Sequence, residues 1–384
     1  MPRRGENIYK RKDGRWEARY IYAYSTNGKP RYRSIYAPDY LGVKKKQKQA
    51  IQQINPADLK QQVEHPKRTI SHYSLLWLNQ ISRSSKESTF VRYRFIYEQY
   101  IQPSLEHIRI CDFSNKIYET FINQLLDSGR KDGTGLSSKM VLDIRSVLKG
   151  ILEFAEKSGE LIPCNLNLYP IKLKTKPFYV LSKKEQQILQ QALVQDLSGR
   201  NLGILTSLYT GLRLGELCAL QWSDINFEDQ IIEVTKTMQR IKDYSETAAH
   251  KTKIVITSPK TSGSMRKVPI PVFLLELLKD AKVFSESDAY LLTGLSDKFY
   301  EPRSMEYYFK KILRQCNLNP VHFHCLRHTF ATRCVELGFD VKTLSEILGH
   351  SNINTTLNRY VHPSMELKQQ NMEKLNEIFT GYGS

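Results

Sequence analysis

The sequence predicts a multidomain, mainly α-helical protein with a small N-terminal β-sheet and helix, a helical middle region and an α+β C-terminal region. Its 384 residues are enough for two or three domains. Strand patterns occur before residue 38 and again between residues 231 and 270, whereas most of the remaining chain carries apolar residues at helical spacing. A formal net charge of +18 indicates a polyanionic partner, although charge alone leaves RNA or an anionic membrane surface open.

Residues 1–66 predict a three-stranded sheet covered by one helix. The strand patterns span Ile8–Lys12, Arg15–Tyr24 and Arg31–Ala37, with Asp-Gly and Ser-Thr-Asn-Gly turn sequences between them. Alternate residues from Trp16 to Tyr24 form an aromatic face, and such a face needs a cover. A helix over residues 40–54 can supply that cover.

This N-terminal segment also concentrates charge. Its 15 Lys and Arg against 6 Asp and Glu give a net charge of +9, which is half of the excess of the whole chain. One interpretation is a sheet laid in the major groove of DNA, with Arg19, Arg31 and Arg33 as candidate contacts. A solvated basic face is the competing interpretation for each of these arginines.

The middle region predicts a compact helical bundle. The helical patterns cover Ile70–Ser82, Thr89–Ile101, Lys116–Leu126 and Ser137–Lys157. Candidate phosphate contacts on these helices are Lys86, Arg92, Arg94, Lys139 and Arg145. For each one taken alone, an ordinary charged helix surface is the simpler interpretation.

The C-terminal region predicts helices around a small antiparallel sheet. Asn165–Phe178 has the composition of an extended connector, and Ser182 with Glu185 forms a capping box that opens a helix continuing to Leu197. Further helices continue to Leu220, strands are expected near 231–234 and 254–270, and helices return from Ser304. The polar run 258–264 is expected to be a hairpin turn that presents Lys260.

The segment Val321–His362 carries the residues that indicate chemistry. His324, Arg327 and His328 have i, i+3 and i+4 spacing, and they are followed by His350 and Tyr360. Neither His324–Arg333 nor His350–Tyr360 contains a carboxylate, so cations and a hydroxyl suit attack on a phosphodiester by direct charge stabilisation. A zinc site is the alternative for these histidines and Cys325, but the spacing fits no usual finger and the guanidiniums would repel a cation.

Another cation precedes this segment in the chain. Gly211 is placed to end one helix, and Arg213 then enters the next. Glu216, three residues later, can orient the Arg213 guanidinium. The order Arg213, Lys260, His324-x-x-Arg327, His350, Tyr360 resembles the catalytic set of tyrosine recombinases, the phage integrase family, and is most similar to integrases of conjugative transposons. The resemblance covers essentially the whole chain.

The resemblance implies a domain organisation. Residues 1–66 correspond to an arm-type DNA-binding domain with a linker helix, 67–170 to a helical core-binding domain, and 171–384 to an α+β catalytic domain. Residues 364–379 carry an amphipathic helical pattern. The family uses such a C-terminal helix for exchange between neighbouring subunits of a tetramer, and packing on its own domain is the alternative.

The resemblance also implies a mechanism. Arg213 and Arg327 would hold the phosphate oxygens, and Tyr360 would attack to form a 3′-phosphotyrosyl link. His324 would take the proton of the phenol, His350 would donate to a phosphate oxygen, and Lys260 would protonate the leaving 5′-oxygen. Glu216 and His328 are expected to support these residues, and neither a metal, ATP nor another cofactor is expected.

The implied function is site-specific recombination that integrates and excises a mobile element. The alternatives are a type IB topoisomerase-like nicking-closing enzyme and a non-catalytic DNA-binding regulator. The expected partners are double-stranded DNA at core and arm sites, further copies of the chain, and an accessory DNA-bending or excision factor. No apolar run is long enough to cross a bilayer and no secretory signal is visible, so a cytoplasmic, nucleoid-associated bacterial protein is expected.

Overall fold

A computed structural model describes most of the chain. The described residues are 6–24, 30–53, 68–173, 178–245, 250–259, 262–282 and 286–360, with isolated positions 369, 372, 373 and 375. They fall into two compact units, Met1–Lys174 and Thr175–Ser384. The predicted fold class is confirmed, because helices predominate and the sheets are small and antiparallel.

The first unit begins with the predicted sheet. Strands β1 (Ile8–Lys10), β2 (Trp16–Tyr24) and β3 (Pro30–Ala37) pair antiparallel in the order β1-β2-β3, with an irregularity between Ile21 and Ala23. Helix α1 (Tyr40–Gln52) begins at Asp39, whose side chain accepts a hydrogen bond from the backbone N–H of Gly42. The helix packs on the sheet over Ala18. The Trp16 and Tyr40 rings meet edge-to-face 5.3 Å apart, so the aromatic face has the expected cover.

The helices of the first unit form a second, separate core. They are α2 (Ile70–Ser84), α3 (Glu87–Ile96), α4 (Gln102–Leu105), α5 (Asn115–Ser128) and α6 (Ser138–Lys157). A π-helical segment, Tyr97–Ile101, joins α3 to α4, so the predicted helix over 89–101 changes its winding in its second half. Thr69, Ser114 and Ser137 cap α2, α5 and α6 through their hydroxyl oxygens.

The predicted extended connector is wrong in its first part. Leu166 lies in a short 3-10 turn and is buried in the core of the first unit, and Tyr169 and Ile171 pack against that core. The apolar residues within 165–171 therefore dock on the first unit instead of crossing solvent. Lys174–Pro177, in the rest of the connector, are outside the described residues.

Among its described residues, the second unit has three α-helices before its sheets and five after them. The first three are α7 (Lys183–Gln195), α8 (Gly199–Thr210) and α9 (Leu214–Ala219). The later ones are α10 (Val272–Lys282), α11 (Pro302–Gln315), α12 (His324–Glu336), α13 (Val341–Leu348) and α14 (Asn354–Tyr360). The predicted capping box at Ser182 and Glu185 is present, whereas α10 was not predicted.

The strands of the second unit correct the predicted hairpin. Strands β4 (Ile225–Asn226), β5 (Ile231–Val234) and β8 (Arg266–Pro269) form one sheet, and β6 (Thr237–Lys242) pairs with β7 (Thr252–Thr257) in another. The predicted turn at 258–264 therefore connects strands of different sheets and is not a hairpin tip. Pairing between strands depends on contacts distant in sequence, which a local pattern does not contain.

A large cluster of buried residues packs the six helices from α7 through α12 against the β4-β5-β8 sheet. A smaller cluster of Ala331, Cys334, Leu344, Leu348 and Tyr360 holds α12, α13 and α14 together. In the part of the chain that the structure describes, no helix is long and apolar enough to cross a membrane.

Candidate active site

Arg213 lies where two helices meet. Gly211 ends α8 in the left-handed conformation (φ 68°), which allows the chain to reverse before α9. The Arg213 side chain donates from Nη1 to Glu216 Oε1 (2.8 Å) and from Nη2 to the Gly349 carbonyl (3.0 Å). Its guanidinium is therefore oriented by a carboxylate and by a distant backbone oxygen.

Glu216 is shared with a second arginine that the sequence reasoning missed. Arg266, on β8, donates to both carboxylate oxygens of Glu216, at 3.1 and 2.9 Å, and its Nε donates to the Ile347 carbonyl at 2.6 Å. The Glu216 and Arg266 side chains are only 4% and 5% exposed. Burial alone would raise the pKa of Glu216, but the hydrogen bonds and charge of Arg266, together with Arg213, outweigh it and lower that pKa.

Arg327 is anchored by main-chain oxygens. It donates from Nη1 to the Gly211 carbonyl (2.9 Å) and from Nη2 to the Leu348 carbonyl (2.6 Å), and the residue is only 2% exposed. Burial, with Arg213 and Arg266 nearby, lowers the pKa of Arg327 to about 9, so the guanidinium remains charged at neutral pH. Because carbonyls carry no formal charge, this cation is not neutralised by the groups that hold it.

His350 follows the end of α13. Gly349 caps that helix in the left-handed conformation (φ 64°), and His350 Nδ1 lies 2.8 Å from the hydroxyl of the buried Thr356. Burial and the charges of Arg327 and Arg213 lower the pKa of His350 to about 4. The imidazole is therefore neutral at pH 7. When Thr356 donates to Nδ1, the ring proton is left at Nε2, where it can be donated.

Tyr360 ends α14 and reaches the same cluster of side chains. Its ring packs against the small cluster of α12 and α13, and its hydroxyl lies 2.7 Å from His328 Nδ1. Burial raises the pKa of Tyr360, against the opposing charges of Arg327, Arg359 and Arg213. The phenol is therefore protonated at neutral pH and lies within the field of the cationic cluster.

The cluster carries net positive charge. Arg213, Arg266 and Arg327 contribute three positive charges, and Glu216 contributes one negative charge. More than a third of His324 is exposed, and partial desolvation with the nearby charges of Arg327, Arg359 and Arg213 lowers its pKa to about 4. A cluster of cations around neutral imidazoles suits a bound anion.

The structure therefore brings together most of the predicted site residues. These are Arg213, Glu216, His324, Arg327, His328, His350 and Tyr360. Lys260 lies outside the described residues. The hydroxyl of Tyr360 hydrogen-bonds His328 in this structure, and the role of His324 as acceptor of the phenolic proton stays a prediction. The sequence does contain a signal for Arg266. Arg266, Val268 and Ile270 occupy every second position, so their side chains lie on the same face, and Val268 and Ile270 are buried there.

The candidate DNA contacts of the N-terminal sheet are divided between its two faces. Arg33 pairs across the strands with Tyr20, on the face that α1 covers, and the β3 alternation puts Arg31 on that face too. Arg19 lies on the open face, where its Nε donates to Glu17 at 2.9 Å. The exposed rings of Tyr32 and Tyr36 share that open face.

The candidate contacts on the helices of the first unit mostly have protein partners. Arg92 and Lys139 both pair with Asp143, at 2.6 and 3.2 Å. Arg94 pairs with Glu98 at 2.8 Å, and Arg145 donates to the Asn167 side chain at 2.8 Å. Lys86 is the N-cap residue of α3. A DNA phosphate would have to compete with these protein partners.

The zinc alternative has no support in the geometry. His322 is 87% exposed at its side chain and pairs with Glu306, away from His328. Across the described parts of the chain, no three His, Cys, Asp or Glu side chains come together in a way that could hold a metal ion.

Comparison with known proteins agrees with this geometry. Residues 179–366 match the phage integrase family, and residues 69–126 match the phage integrase N-terminal SAM-like domain. The chain is 31% identical over 329 residues to a XerC-like tyrosine recombinase of Caldanaerobacter subterraneus subsp. tengcongensis, covering 79% of this chain and 81% of that protein. The chain belongs to the phage integrase family of tyrosine recombinases. It is therefore an enzyme, a site-specific recombinase, and the topoisomerase and regulator alternatives are not favoured.

Other tyrosine recombinases extend the likeness along the chain. The ICEBs1 integrase of Bacillus subtilis is 26% identical over 330 residues, covering 81% of this chain and 84% of that protein. The Tn1549 transposon integrase, solved in complex with a circular intermediate DNA, has a TM-score of 0.64 at 21% identity and covers 80% of this chain and 100% of that one. A lambda integrase tetramer bound to a Holliday junction has a TM-score of 0.57 at 18% identity, covering 94% and 98%. These two structures support the fold.

Proposed function

We propose that this recombinase cleaves and rejoins double-stranded DNA through a 3′-phosphotyrosyl intermediate on Tyr360, and that it integrates and excises a mobile element. The observation that carries the proposal is the convergence of Arg213 and Arg327 on consecutive carbonyls, Gly349 and Leu348, beside the buried Tyr360 hydroxyl. Two forked donors and one nucleophile in a cationic pocket suit a phosphodiester.

The two guanidiniums would hold the non-bridging oxygens. Negative charge accumulates on these oxygens as the phosphorus becomes five-coordinate, and donors already fixed in place stabilise that charge without reorganising. Arg213 is fixed by Glu216 and Gly349, and Arg327 is fixed by Gly211 and Leu348. His350 Nε2 is suited to donate to one of the same oxygens.

Tyr360 would attack the phosphorus, and the 5′-oxygen would leave with a proton from Lys260. The phosphotyrosyl bond retains the ester, so the 5′-hydroxyl of a partner strand can reverse the step without ATP. We propose no metal or other cofactor for this chemistry, because cationic side chains supply the charge that a metal ion otherwise supplies.

The remaining regions would position the DNA. We propose that residues 1–66 bind an arm site, that 67–170 bind the core site, and that 171–384 carry catalysis. The open face of the N-terminal sheet, with Arg19 and exposed tyrosines, supports an additional DNA contact there. Deleting residues 1–66 should therefore leave core-site cleavage intact and impair integration, whereas equal integration by the shortened chain would contradict the arm-site assignment.

Assembly on DNA would involve several copies of the chain. The lambda integrase tetramer on a Holliday junction supports a tetramer for this recombinase as well. We propose that the amphipathic pattern over 364–379 docks on a neighbouring copy. Most of that segment lies outside the described residues. We further propose an accessory DNA-bending or excision factor and action at the bacterial nucleoid in the cytoplasm.

The decisive experiment traps the covalent intermediate. A duplex from the end of the element, nicked close to the crossover so that the cleaved fragment diffuses away, is incubated with the protein in EDTA. Wild type should form an adduct that survives denaturing electrophoresis, and Tyr360→Phe should bind the DNA without forming it. Tyr307→Phe is the matched control, because Tyr307 lies in the same unit and is 69% exposed.

Each result has a distinct meaning. An adduct that persists in Tyr360→Phe would assign the nucleophile to another residue. DNA binding by wild type without an adduct would favour a regulator. An adduct without exchange of strands between two duplexes would favour a nicking-closing enzyme.

A further inference from the structure

The hydroxyl of Tyr360 has a buried imidazole as its partner. His328 follows Arg327 on α12, and its Nδ1 lies 2.7 Å from the phenolic oxygen. His328 is 7% exposed and Tyr360 is 6% exposed, so little water reaches this hydrogen bond. The nitrogen is thus already within proton-transfer distance of the phenol.

The tautomer of His328 sets the direction of this hydrogen bond. At neutral pH both groups are uncharged, because burial lowers the pKa of His328 to about 3 and raises the pKa of Tyr360. In the tautomer with the ring proton on Nε2, Nδ1 carries a lone pair and accepts from the phenolic hydroxyl. In this tautomer Nδ1 can take the phenolic proton directly.

Neighbouring rings fix the position of this imidazole. The Phe178 ring lies over His328 with centroids 4.6 Å apart and planes inclined by 36°. His324 meets it edge-on, also at 4.6 Å, and Phe178 contacts Tyr360 at 5.7 Å. The acceptor is therefore held in place before any DNA binds.

The surroundings of His328 link its basicity to the presence of substrate. Burial, followed by the electrostatic interaction with His324 and the charges of Arg359 and Arg327, lowers the pKa of His328 to about 3. A phosphodiester held by Arg213 and Arg327 would bring negative charge next to these cations, and that charge grows during attack. The negative charge would offset the positive charges that lower the pKa of His328. The imidazole would therefore become more basic at the moment when it must accept the proton.

We propose that His328, rather than His324, accepts the proton of the Tyr360 nucleophile. As the Oη–P bond forms, the phenolic proton moves to Nδ1 of His328. The P–O5′ bond breaks, and the leaving 5′-oxygen takes its proton from Lys260. In rejoining, the 5′-hydroxyl attacks and gives its proton back to Lys260, and His328 returns its proton to the departing phenolate. The inference rests on the proposed role of Tyr360.

The test isolates the attack from departure of the leaving group. A duplex from the element end carries sulfur in place of the scissile 5′-oxygen, because a thiolate leaves without protonation, and cleavage is followed in a single turnover. In His328→Asn an amide oxygen can lie near the Nδ1 position and accept a hydrogen bond, but it takes no proton. We expect this variant to react about 10²–10⁴-fold more slowly than wild type. His324→Asn is the matched control and should lose less.

A change at the nucleophile separates proton transfer from packing. When a fluorinated tyrosine of lower phenol pKa occupies position 360, the need for a base falls. The rate of His328→Asn should then rise at least tenfold, while the wild-type background changes little. A variant that had merely lost its fold would not be rescued, and gel-shift affinity for the same duplex provides an independent check.

Several outcomes would overturn the proposal. Cleavage by His328→Asn within threefold of wild type would remove His328 from proton transfer. If His328→Asn is slow and fluorotyrosine does not restore its rate, His328 has a structural role only. If fluorotyrosine restores the rate of His324→Asn alone, His324 is the base. The absence of any wild-type adduct would instead remove Tyr360 as the nucleophile, and the inference with it.

Discussion

Replacing Arg266 with methionine should destabilise the second unit strongly. The change leaves the Glu216 carboxylate, whose side chain is 4% exposed, with Arg213 as its remaining charged partner, and it removes hydrogen bonds of 2.9 and 3.1 Å. Removing one partner of a buried ion pair costs about 3–5 kcal/mol. Lys267→Met is the matched control, because Lys267 follows Arg266 on the same strand and its side chain, paired with Glu233, is 70% exposed. Exposed pairs contribute below about 1 kcal/mol.

The assay is urea unfolding reported by one tryptophan. The chain has three tryptophans, so replacing Trp16 and Trp77 with phenylalanine leaves Trp222, which is buried in the second unit. The double variant Arg266→Met with Glu216→Gln should recover part of the lost stability, because the buried charge is gone. Equal effects of Arg266→Met and Lys267→Met would refute the reasoning.

The pH dependence provides a second check on the same pair. In wild type the lowered pKa of Glu216 contributes stability above the unfolded value of 4.5, and this contribution is lost as pH falls through the folded pKa. Without Arg266, burial penalises the carboxylate and protonation relieves the penalty. The stability difference between wild type and Arg266→Met should therefore shrink from pH 7 to pH 4, and a constant difference would contradict the assignment.

Further predictions concern the residues around the pocket. The pKa of His328 is lowered to about 3 in the folded protein, so unfolding takes up a proton below pH 6.5. The free energy of unfolding should therefore fall by about 1.4 kcal/mol for each unit by which the pH drops from 6.5 toward 3. His328→Asn should lose this component in unfolding measurements, and an unchanged slope would contradict it. Gly349→Ala should destabilise more than Gly338→Ala, because both have positive φ but only at Gly349 would a Cβ lie 2.9 Å from Arg266; equal losses in urea would exclude that contact as the cause. Arg327→Lys should reduce adduct formation by roughly a hundredfold or more, because an ammonium lacks the planar fork. Near-normal trapping by this variant in the nicked-duplex assay would remove the need for the fork.

Local patterns in the sequence predicted most helices and strands of this protein. The aromatic face from Trp16, the Ser182 capping box and the turn at Gly211 each depend on neighbouring residues, and each is present. Helix α10 was missed although its buried Leu274, Leu275 and Leu278 have helical spacing, so this helix could have been predicted. The pairing of β7 and β8 with different sheets depends on residues far apart in sequence.

The same limit applies to the site. The order of Arg213, Arg327, His350 and Tyr360 was readable because the spacing of each motif is characteristic of the family. The role of Arg266 was not readable, since a single arginine on a strand gives no indication of a partner 50 residues away. The contact between His328 and Tyr360 joins α12 to α14 and follows from how those helices pack.

The backbone anchoring of the two arginines has a consequence for how this site can change during evolution. Gly211, Leu348 and Gly349 hold the guanidiniums through their peptide oxygens, which every amino acid provides. Drift in the surrounding side chains therefore leaves these attachment points in place as long as the chain path is kept. The fold can diversify its exposed surfaces while the placement of the two guanidiniums is inherited with the course of the main chain.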